Sequence, residues 1–304
     1  MDSVSVIMST YNGEKYVEQQ INSIMAQKSV DVKLYIRDDG STDSTLTVLE
    51  NLRKQYPEKI ILSSGNNLGY RKSFMTALRN SPKSDFYAFS DQDDVWFSTK
   101  CINAIDKLKS NIGVKLYASA QIITDEKLNQ KRIKQFSHMG GNIESHFTRH
   151  SLPGCTYLFT DDIKAASMMI DFDCLNEAQM PSHDFIVLAC ALALGYIYID
   201  DAPSMLYRRI GESQTPSGGG LNIRIKHEWK VLFGYKNKCS TLAREIIENF
   251  EPLIDDRKLF FLKRVSQSKS SLAARWWLLR NKKMDCGILL GNMETKLKII
   301  LGTY

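Results

Sequence analysis

Four short apolar runs open this chain, and each stops at a cluster of polar turn residues. The runs cover residues 4–8, 32–37, 59–63 and 86–89. Their turns read Ser9-Thr10-Tyr11-Asn12-Gly13, Asp38-Asp39-Gly40-Ser41-Thr42-Asp43, Gly65-Asn66-Asn67-Leu68-Gly69 and Ser90-Asp91-Gln92-Asp93-Asp94. Between them lie segments of helical spacing: Val17, Ile21, Ile24 and Met25, then Leu46, Leu49 and Leu52, then residues 71–80. Short apolar runs bounded by turns read as buried strands, and strands alternating with helices make a largely parallel sheet covered on both faces. The strand ends of such a sheet lie along one edge, where ligands bind. Tyr11, Asp38, Asp39 and Asp91 are therefore expected to converge.

The last of these turns holds three carboxylates in four positions, between the run 86–89 and Val95-Trp96-Phe97. A solvated acidic turn is the plain alternative, but this one is pinned between two apolar segments. Clustered carboxylates repel unless a cation neutralises them. A divalent ion on a few carboxylates usually shares itself with phosphates. A dinucleotide-binding turn is excluded, because Thr10-Tyr11-Asn12-Gly13-Glu14-Lys15 has a single glycine where G-x-G-x-x-G is needed; a P-loop is likewise absent.

Further along, residues 99–110 read as a helix and 114–121 as a strand. Residues 124–150 are polar and irregular, and His138, His146 and His150 are expected there as surface residues. Pro153-Gly154-Cys155 leads into a strand at 156–159. Ser182-His183-Asp184 precedes the apolar helix 185–194, where Asp184 suits a helix cap. The uncharged run 185–199 falls short of the ~20 residues that span a bilayer and reads as a buried helix turning into a strand at Gly195. The six cysteines show no ligand spacing, and no basic leader precedes residues 4–8, so a reduced cytosolic protein is expected.

Charge divides the chain. Residues 221–304 hold 17 Lys/Arg against 8 Asp/Glu, whereas residues 1–220 hold 23 against 26. The break between them is Thr215-Pro216-Ser217-Gly218-Gly219-Gly220, which cannot hold regular structure. Beyond it, basic helical stretches carry Trp229, Phe260, Phe261, Trp276 and Trp277. Basic helices with aromatic residues suit an anionic membrane surface; a solvated face of a packed helical subdomain is the alternative. No nucleic-acid-binding motif is present, and nothing in the sequence sets an oligomeric state.

The four turns, in this order and including Ser44-Thr45 and Val95-Trp96, resemble the motifs of family-2 inverting glycosyltransferases of the GT-A fold. The likeness covers roughly the first two thirds of the chain. The form Asp91-Gln92-Asp93-Asp94-Val95-Trp96 is similar to the rhamnosyltransferase branch of bacterial surface polysaccharide synthesis. The resemblance implies a Rossmann-like GT-A domain over residues 1–213, with a nucleotide-binding half (1–96) and an acceptor half (97–213). A flexible loop (214–220) and a basic helical region (221–304) follow. It implies that Thr10, Tyr11 and Glu14 line the nucleotide pocket, that Asp39 reads the base, and that Asp91 and Gln92 lie by the donor. Arg71 and Lys72 would add positive charge, Asp93 would hold Mg²⁺ or Mn²⁺, and Asp184 would be the catalytic base. Trp96, Gly154, His183 and Arg208 are candidate phosphate or acceptor contacts. Relatives often read Tyr-Arg-x-His-Gly where this chain has Tyr207-Arg208-Arg209-Ile210-Gly211, so a metal ligand is missing or replaced.

The expected activity is transfer of a sugar from a nucleoside-diphosphate sugar, dTDP-L-rhamnose or a UDP-hexose, to a lipid-linked oligosaccharide. It would take place on the cytoplasmic face of the plasma membrane, in O-antigen, capsule or related synthesis. The alternatives are a sugar-phosphate nucleotidyltransferase, for which the basic Gly-rich first loop is absent, and a non-catalytic glycosyltransferase-like partner subunit, which Ile210 suggests.

Overall fold

The computed structural model describes residues 1–150, 152–173, 180–210 and 237–304. Residues 214–220, the expected loop, and the stretch through Trp229 lie outside them. The strands are β1 (Ser3–Thr10), β2 (Asp31–Asp38), β3 (Ile60–Ser64), β4 (Phe86–Ser90), β5 (Val95–Trp96), β6 (Val114–Thr124), β7 (Gln130–Lys134), β8 (Tyr157–Thr160) and β9 (Tyr196–Arg208). The helices are α1 (Val17–Met25), α2 (Thr45–Gln55), α3 (Tyr70–Asn80), α4 (Lys100–Ser110), α5 (Ile143–Thr148), α6 (Asp161–Met169), α7 (His183–Leu194), α8 (Lys238–Phe250), α9 (Asp256–Ser266), α10 (Leu272–Arg280) and α11 (Leu289–Leu301). They group into two compact units. One holds Met1–Ser137, Leu152–Met168 and Gly195–Arg209; the other holds His138–Ser151, Met169–Leu194 and Ile210–Tyr304.

The first unit is a sheet in the order β3-β2-β1-β4-β8-β6-β9-β5, with β7 on β6. β1 pairs in parallel with β2 and β4, and β2 with β3. β8 runs against both β4 and β6, so β6 regains the direction of β4, and β9 joins β6 in parallel. The sheet is therefore mostly parallel, as the alternating pattern implies. Its core is built from Val4, Val6 and Met8 on β1, Val32, Leu34 and Ile36 on β2, and Val17, Ile21 and Ile24 on the inner stripe of α1. Residues of α1 three and four apart share a face, which is why these three meet the sheet.

In the second unit α7 is buried on almost every side, as expected of a helix apolar all round. It ends at Leu194 and β9 starts at Tyr196, as the run through Gly195 implies. No helix among the described residues is long and apolar enough to cross a membrane. The Phe147 ring of α5 packs 5.2 Å from Phe185 of α7 and 5.7 Å from Phe261 of α9. The chain end closes on the same helix: the Tyr304 hydroxyl donates to the Phe147 carbonyl at 2.9 Å.

The polar stretch 124–150 departs from expectation. It contains β7 and α5, and α5 is buried along its whole length. Its polar side chains turn back on nearby backbone: Ser145 Oγ donates to the Met139 carbonyl at 2.7 Å, Thr148 Oγ1 to the Glu144 carbonyl at 2.8 Å, and His146 Nε2 lies 3.0 Å from the Gly140 carbonyl. Such local bonds let a polar sequence be buried. His146 is therefore a core residue; only His138 of the three is exposed.

Candidate active site

Parallel register brings three strand ends level. Thr10 of β1 pairs with Asp38 of β2, and Met8 pairs with Ser90 of β4. The turns after them share one rim of the first unit. Thr10 Oγ1 donates to Asp38 Oδ1 at 2.9 Å, and Asp38 also accepts from the Ser41 amide (2.9 Å) and hydroxyl (2.6 Å). The Asp39 amide donates to the Thr10 carbonyl at 2.8 Å. The Asp39 carboxylate is buried, ion-paired to Arg37, and accepts the Leu68 amide at 2.9 Å. Arg37 in turn reaches the Asn66 carbonyl (2.9 Å) and Ser73 Oγ (3.0 Å). This network fixes the orientation of the Asp39 carboxylate. Gly40, at φ +82°, passes so close that a β-carbon would sit 3.2 Å from the Asn67 amide nitrogen.

Tyr11 and Gln92 clasp each other across the rim. Gln92 Oε1 accepts the Tyr11 amide at 2.9 Å and Gln92 Nε2 donates to the Tyr11 carbonyl at 3.1 Å, leaving the Tyr11 ring about half exposed. Glu14 braces two loops: its Oε2 accepts the Ser44 amide at 2.8 Å. Arg71 and Lys72 lie in the first turn of α3, where Arg71 Nε bonds the Tyr70 hydroxyl at 3.0 Å. Gly13 is tight against Gln92, since an added β-carbon would fall 2.4 Å from Oε1. Gly13→Ala is expected to push the Gln92 amide off Tyr11, losing two hydrogen bonds worth about 1 kcal/mol each. If this turn holds the nucleotide that the motif resemblance implies, affinity for dTDP or UDP should fall by up to about thirtyfold, read by titration.

The acidic turn is graded in depth. Asp91 and Asp93 are half-buried and Asp94 is wholly buried. Burial pushes the Asp93 carboxyl up, against its own amide and the charge of Arg208. Asp94 is pushed well above the carboxylate range by burial and then by Asp91 and Asp93. Its Oδ1 accepts the Arg208 amide at 3.1 Å, while its Oδ2 has no hydrogen-bond partner among the described residues. Asp91, Asp94 and Cys155 place ligand atoms within 4.8 Å of one another. Burial, then Asp91 and Asp94, push the Cys155 thiol up, which keeps it protonated. A soft, protonated sulfur is a poor ligand for a hard cation, whereas carboxylate oxygens suit Mg²⁺ or Mn²⁺. Asp91 and Asp93, the two less buried carboxylates, have the right chemistry for such an ion.

Several expected contacts lie behind this rim. Trp96, Gly154 and Arg208 are buried. Arg208 is occupied: Nε donates to the Asp93 carbonyl (2.7 Å), Nη2 to Gln19 Oε1 (2.6 Å) and Nη1 to the Glu126 carbonyl, with Tyr16 stacked 4.6 Å away. Through these bonds it braces the acidic turn at the Asp93 carbonyl. Sequence reasoning missed Lys100. Its buried ammonium donates to the Cys155 carbonyl and Ser204 Oγ, both at 3.1 Å, and lies 4.8 Å from the Trp96 ring. Burial brings its pKa down to about 8, against the charges of Cys155, Cys101 and Asp94. A charge four residues after an apolar Trp was the only signal of it.

Asp184 belongs to the second unit and lies in the first turn of α7, one position inside the helix rather than at its cap. Its Oδ1 accepts the Phe185 amide at 2.9 Å. Its Oδ2 lies 3.1 Å from Nε2 of His150, whose ring stacks 5.2 Å from Phe185. Burial alone would raise this carboxyl, but His150 first, then His183 and Ser182, hold it below the usual carboxylate range. His183 is itself buried beside it. His150, expected at the surface, is thus half-buried and paired with the candidate base.

Residues 5–163 match the profile of Glycosyl transferase family 2. The dTDP-rhamnosyl transferase RfbG of Shigella flexneri is 32% identical over 295 residues, 91% of this chain and 96% of that one. The minor teichoic acid biosynthesis protein GgaA of Bacillus subtilis is 29% identical over 180 residues, 53% of this chain and 40% of that protein. Among solved structures, S. aureus TarS residues 1–349 with UDP align at a TM-score of 0.58 and 15% identity, covering 98% of this chain and 90% of that one. That likeness shows the GT-A fold.

Proposed function

Because the chain belongs to glycosyl transferase family 2, we propose that it is an inverting rhamnosyltransferase. It takes dTDP-L-rhamnose, with a UDP-hexose as the second candidate donor, and adds the sugar to a lipid-linked oligosaccharide in surface polysaccharide synthesis. The observation that supports this best is the shared rim on which Thr10, Tyr11, Asp39 and the acidic turn meet. Tyr11 offers an exposed ring to stack on a pyrimidine, and Asp39 a fixed carboxylate to accept its N–H. Glu14 and Gln92 hold the turn open, while Arg71 and Lys72 place positive charge at the start of α3. A divalent cation held by Asp91 and Asp93 would supply charge to the departing diphosphate. Asp184 removes the proton from the acceptor hydroxyl, which then attacks the anomeric carbon in line and inverts it. The similarity to RfbG favours rhamnose, and the similarity to GgaA favours a surface-polymer pathway.

Lipid-linked acceptors place the enzyme at the cytoplasmic face of the plasma membrane. Exposed Leu272 and Trp276 on α10 and Leu289, Leu290 and Met293 on α11, with Arg280, Lys282 and Lys283 close in sequence, suit an anionic lipid surface. The test is a panel of nucleotide sugars with Mg²⁺ or Mn²⁺, read by thermal shift and donor hydrolysis. dTDP-L-rhamnose should raise the melting temperature more than any UDP- or GDP-sugar, and only with the cation present. Stabilisation by a UDP-hexose instead would replace the donor; stabilisation by none would remove the catalytic reading and favour a partner subunit.

A further inference from the structure

The second unit contains an open cleft of about 500 Å³, large enough for a sugar ring. Phe260, Phe261 and Trp277 supply aromatic walls, and Glu144, Asp256, Arg257, Asn281 and Lys283 the polar groups. Phe260 and Trp277 meet edge to face at 5.2 Å, and Phe260 remains 46% exposed. Glu144 is buried to within a few per cent. Its Oε1 accepts from Arg257 Nη2 at 3.2 Å, and its Oε2 has no hydrogen-bond partner among the described residues. A buried carboxylate oxygen without a donor is costly, and a ligand hydroxyl or a water that reached it would satisfy it.

We propose that this cavity is a carbohydrate subsite, which binds the glycan part of the acceptor away from the hydroxyl that reacts. The proposal rests on the glycosyltransferase reading and names a second place where the acceptor is held. A pyranose presents an apolar C–H face and a rim of hydroxyls. The C–H face packs on an aromatic ring, whose face is electronegative. The hydroxyls donate to Glu144 and exchange hydrogen bonds with Asn281, and Arg257 donates to ring or hydroxyl oxygens. An anion would meet two carboxylates, Glu144 and Asp256, beside the two cations Arg257 and Lys283, whereas an acyl chain would strip water from all of these charged groups with nothing in return. The cavity is also tied to the candidate base. Phe261 forms its wall, Phe147 packs on Phe261, Phe185 packs on Phe147, and Phe185 follows Asp184 in α7. A continuous aromatic path therefore links the subsite to the residue that receives the acceptor proton.

The test uses the full chain and di- and trisaccharides of L-rhamnose, D-galactose or N-acetyl-D-glucosamine, read by saturation-transfer NMR. At least one should bind in the millimolar range, with saturation on ring C–H protons. Glu144→Gln and Phe260→Ala should each weaken binding about tenfold or more. Trp277→Phe, which keeps the ring wall, should weaken it less. Binding of dTDP or UDP with Mg²⁺, and donor hydrolysis, should stay at the wild-type level in all three variants. No oligosaccharide binding, binding indifferent to both Glu144→Gln and Phe260→Ala, or binding of inorganic phosphate with no sugar would each overturn the subsite. In those cases intact donor hydrolysis would still stand for the glycosyltransferase reading, whereas a wild type that binds no nucleotide sugar would remove that reading and leave the sugar titration to judge the cavity alone.

Discussion

Replacing Asp184 with asparagine should lower the turnover of sugar transfer by about a hundred- to ten-thousand-fold, the range lost when a positioned base is removed. Asparagine keeps the shape and can still accept the Phe185 amide at Oδ1, so the start of α7 is preserved. What is lost is the ability to take a proton. Binding of dTDP or UDP should stay within about twofold by titration, because the nucleotide contacts assigned above come from other residues. The pH dependence sharpens the test. Burial raises the Asp184 carboxyl, but His150, His183 and Ser182 together bring it below the usual range. The proton-accepting form is therefore complete at neutral pH, and the fold gains stability that is present above the ordinary aspartate value near ~4 and lost as pH falls through the lower folded value. His150→Gln removes the largest lowering influence, so the carboxyl rises. The acid limb of kcat/KM should then move to higher pH. Full activity of Asp184→Asn would dismiss it as the base; an acid limb unmoved or shifted downward in His150→Gln would dismiss the coupling.

The sheet and its rim were readable because both follow from periodicity. β1 to β4 and α1 to α4 depend on apolar spacing, and parallel pairing then places Tyr11, Asp39 and Asp91 at one edge without further information. The buried α5 was not readable. Its polar side chains are satisfied by backbone a few residues away, and composition counts those residues as surface. His150 escaped for a different reason: its partner Asp184 lies far along the chain, and nothing local marks the pair. Lys100 and Arg208 show the limit for charged residues. A sequence presents a cation as a candidate for an anionic ligand. Whether its donors are already taken by Cys155, Ser204 or the Asp93 carbonyl depends on strands far apart in the chain. The same holds within the acidic turn, where three neighbouring aspartates of identical chemistry differ chiefly in depth.

That difference in depth gives the second large effect. If Asp93 helps hold the cation as proposed, Asp93→Asn should reduce cation-dependent transfer by at least about a hundredfold, since a divalent ion there would balance charge on a departing diphosphate. Asp94→Asn should cost less than about tenfold, on a transition-state scale where tenfold is ~1.4 kcal/mol. Burial, then Asp91 and Asp93, push the Asp94 carboxyl well above its usual range, which favours its neutral form over that of its neighbours. Asparagine copies a protonated carboxyl in size and charge, and its amide oxygen can still accept from the Arg208 backbone. Arg208 would go on holding the Asp93 carbonyl at 2.7 Å, so the turn should keep its course. The measurement is transfer rate against Mg²⁺ or Mn²⁺ concentration for wild type, Asp91→Asn, Asp93→Asn and Asp94→Asn, each checked for an unchanged melting temperature without the ion. Asp91→Asn should resemble Asp93→Asn. If Asp94→Asn instead proves as damaging as Asp93→Asn, Asp94 must shed its proton to the ion. The converging set of Asp91, Asp94 and Cys155 would then be the cation site, and the affinity for the ion would climb steeply with pH, because each binding event would release a proton.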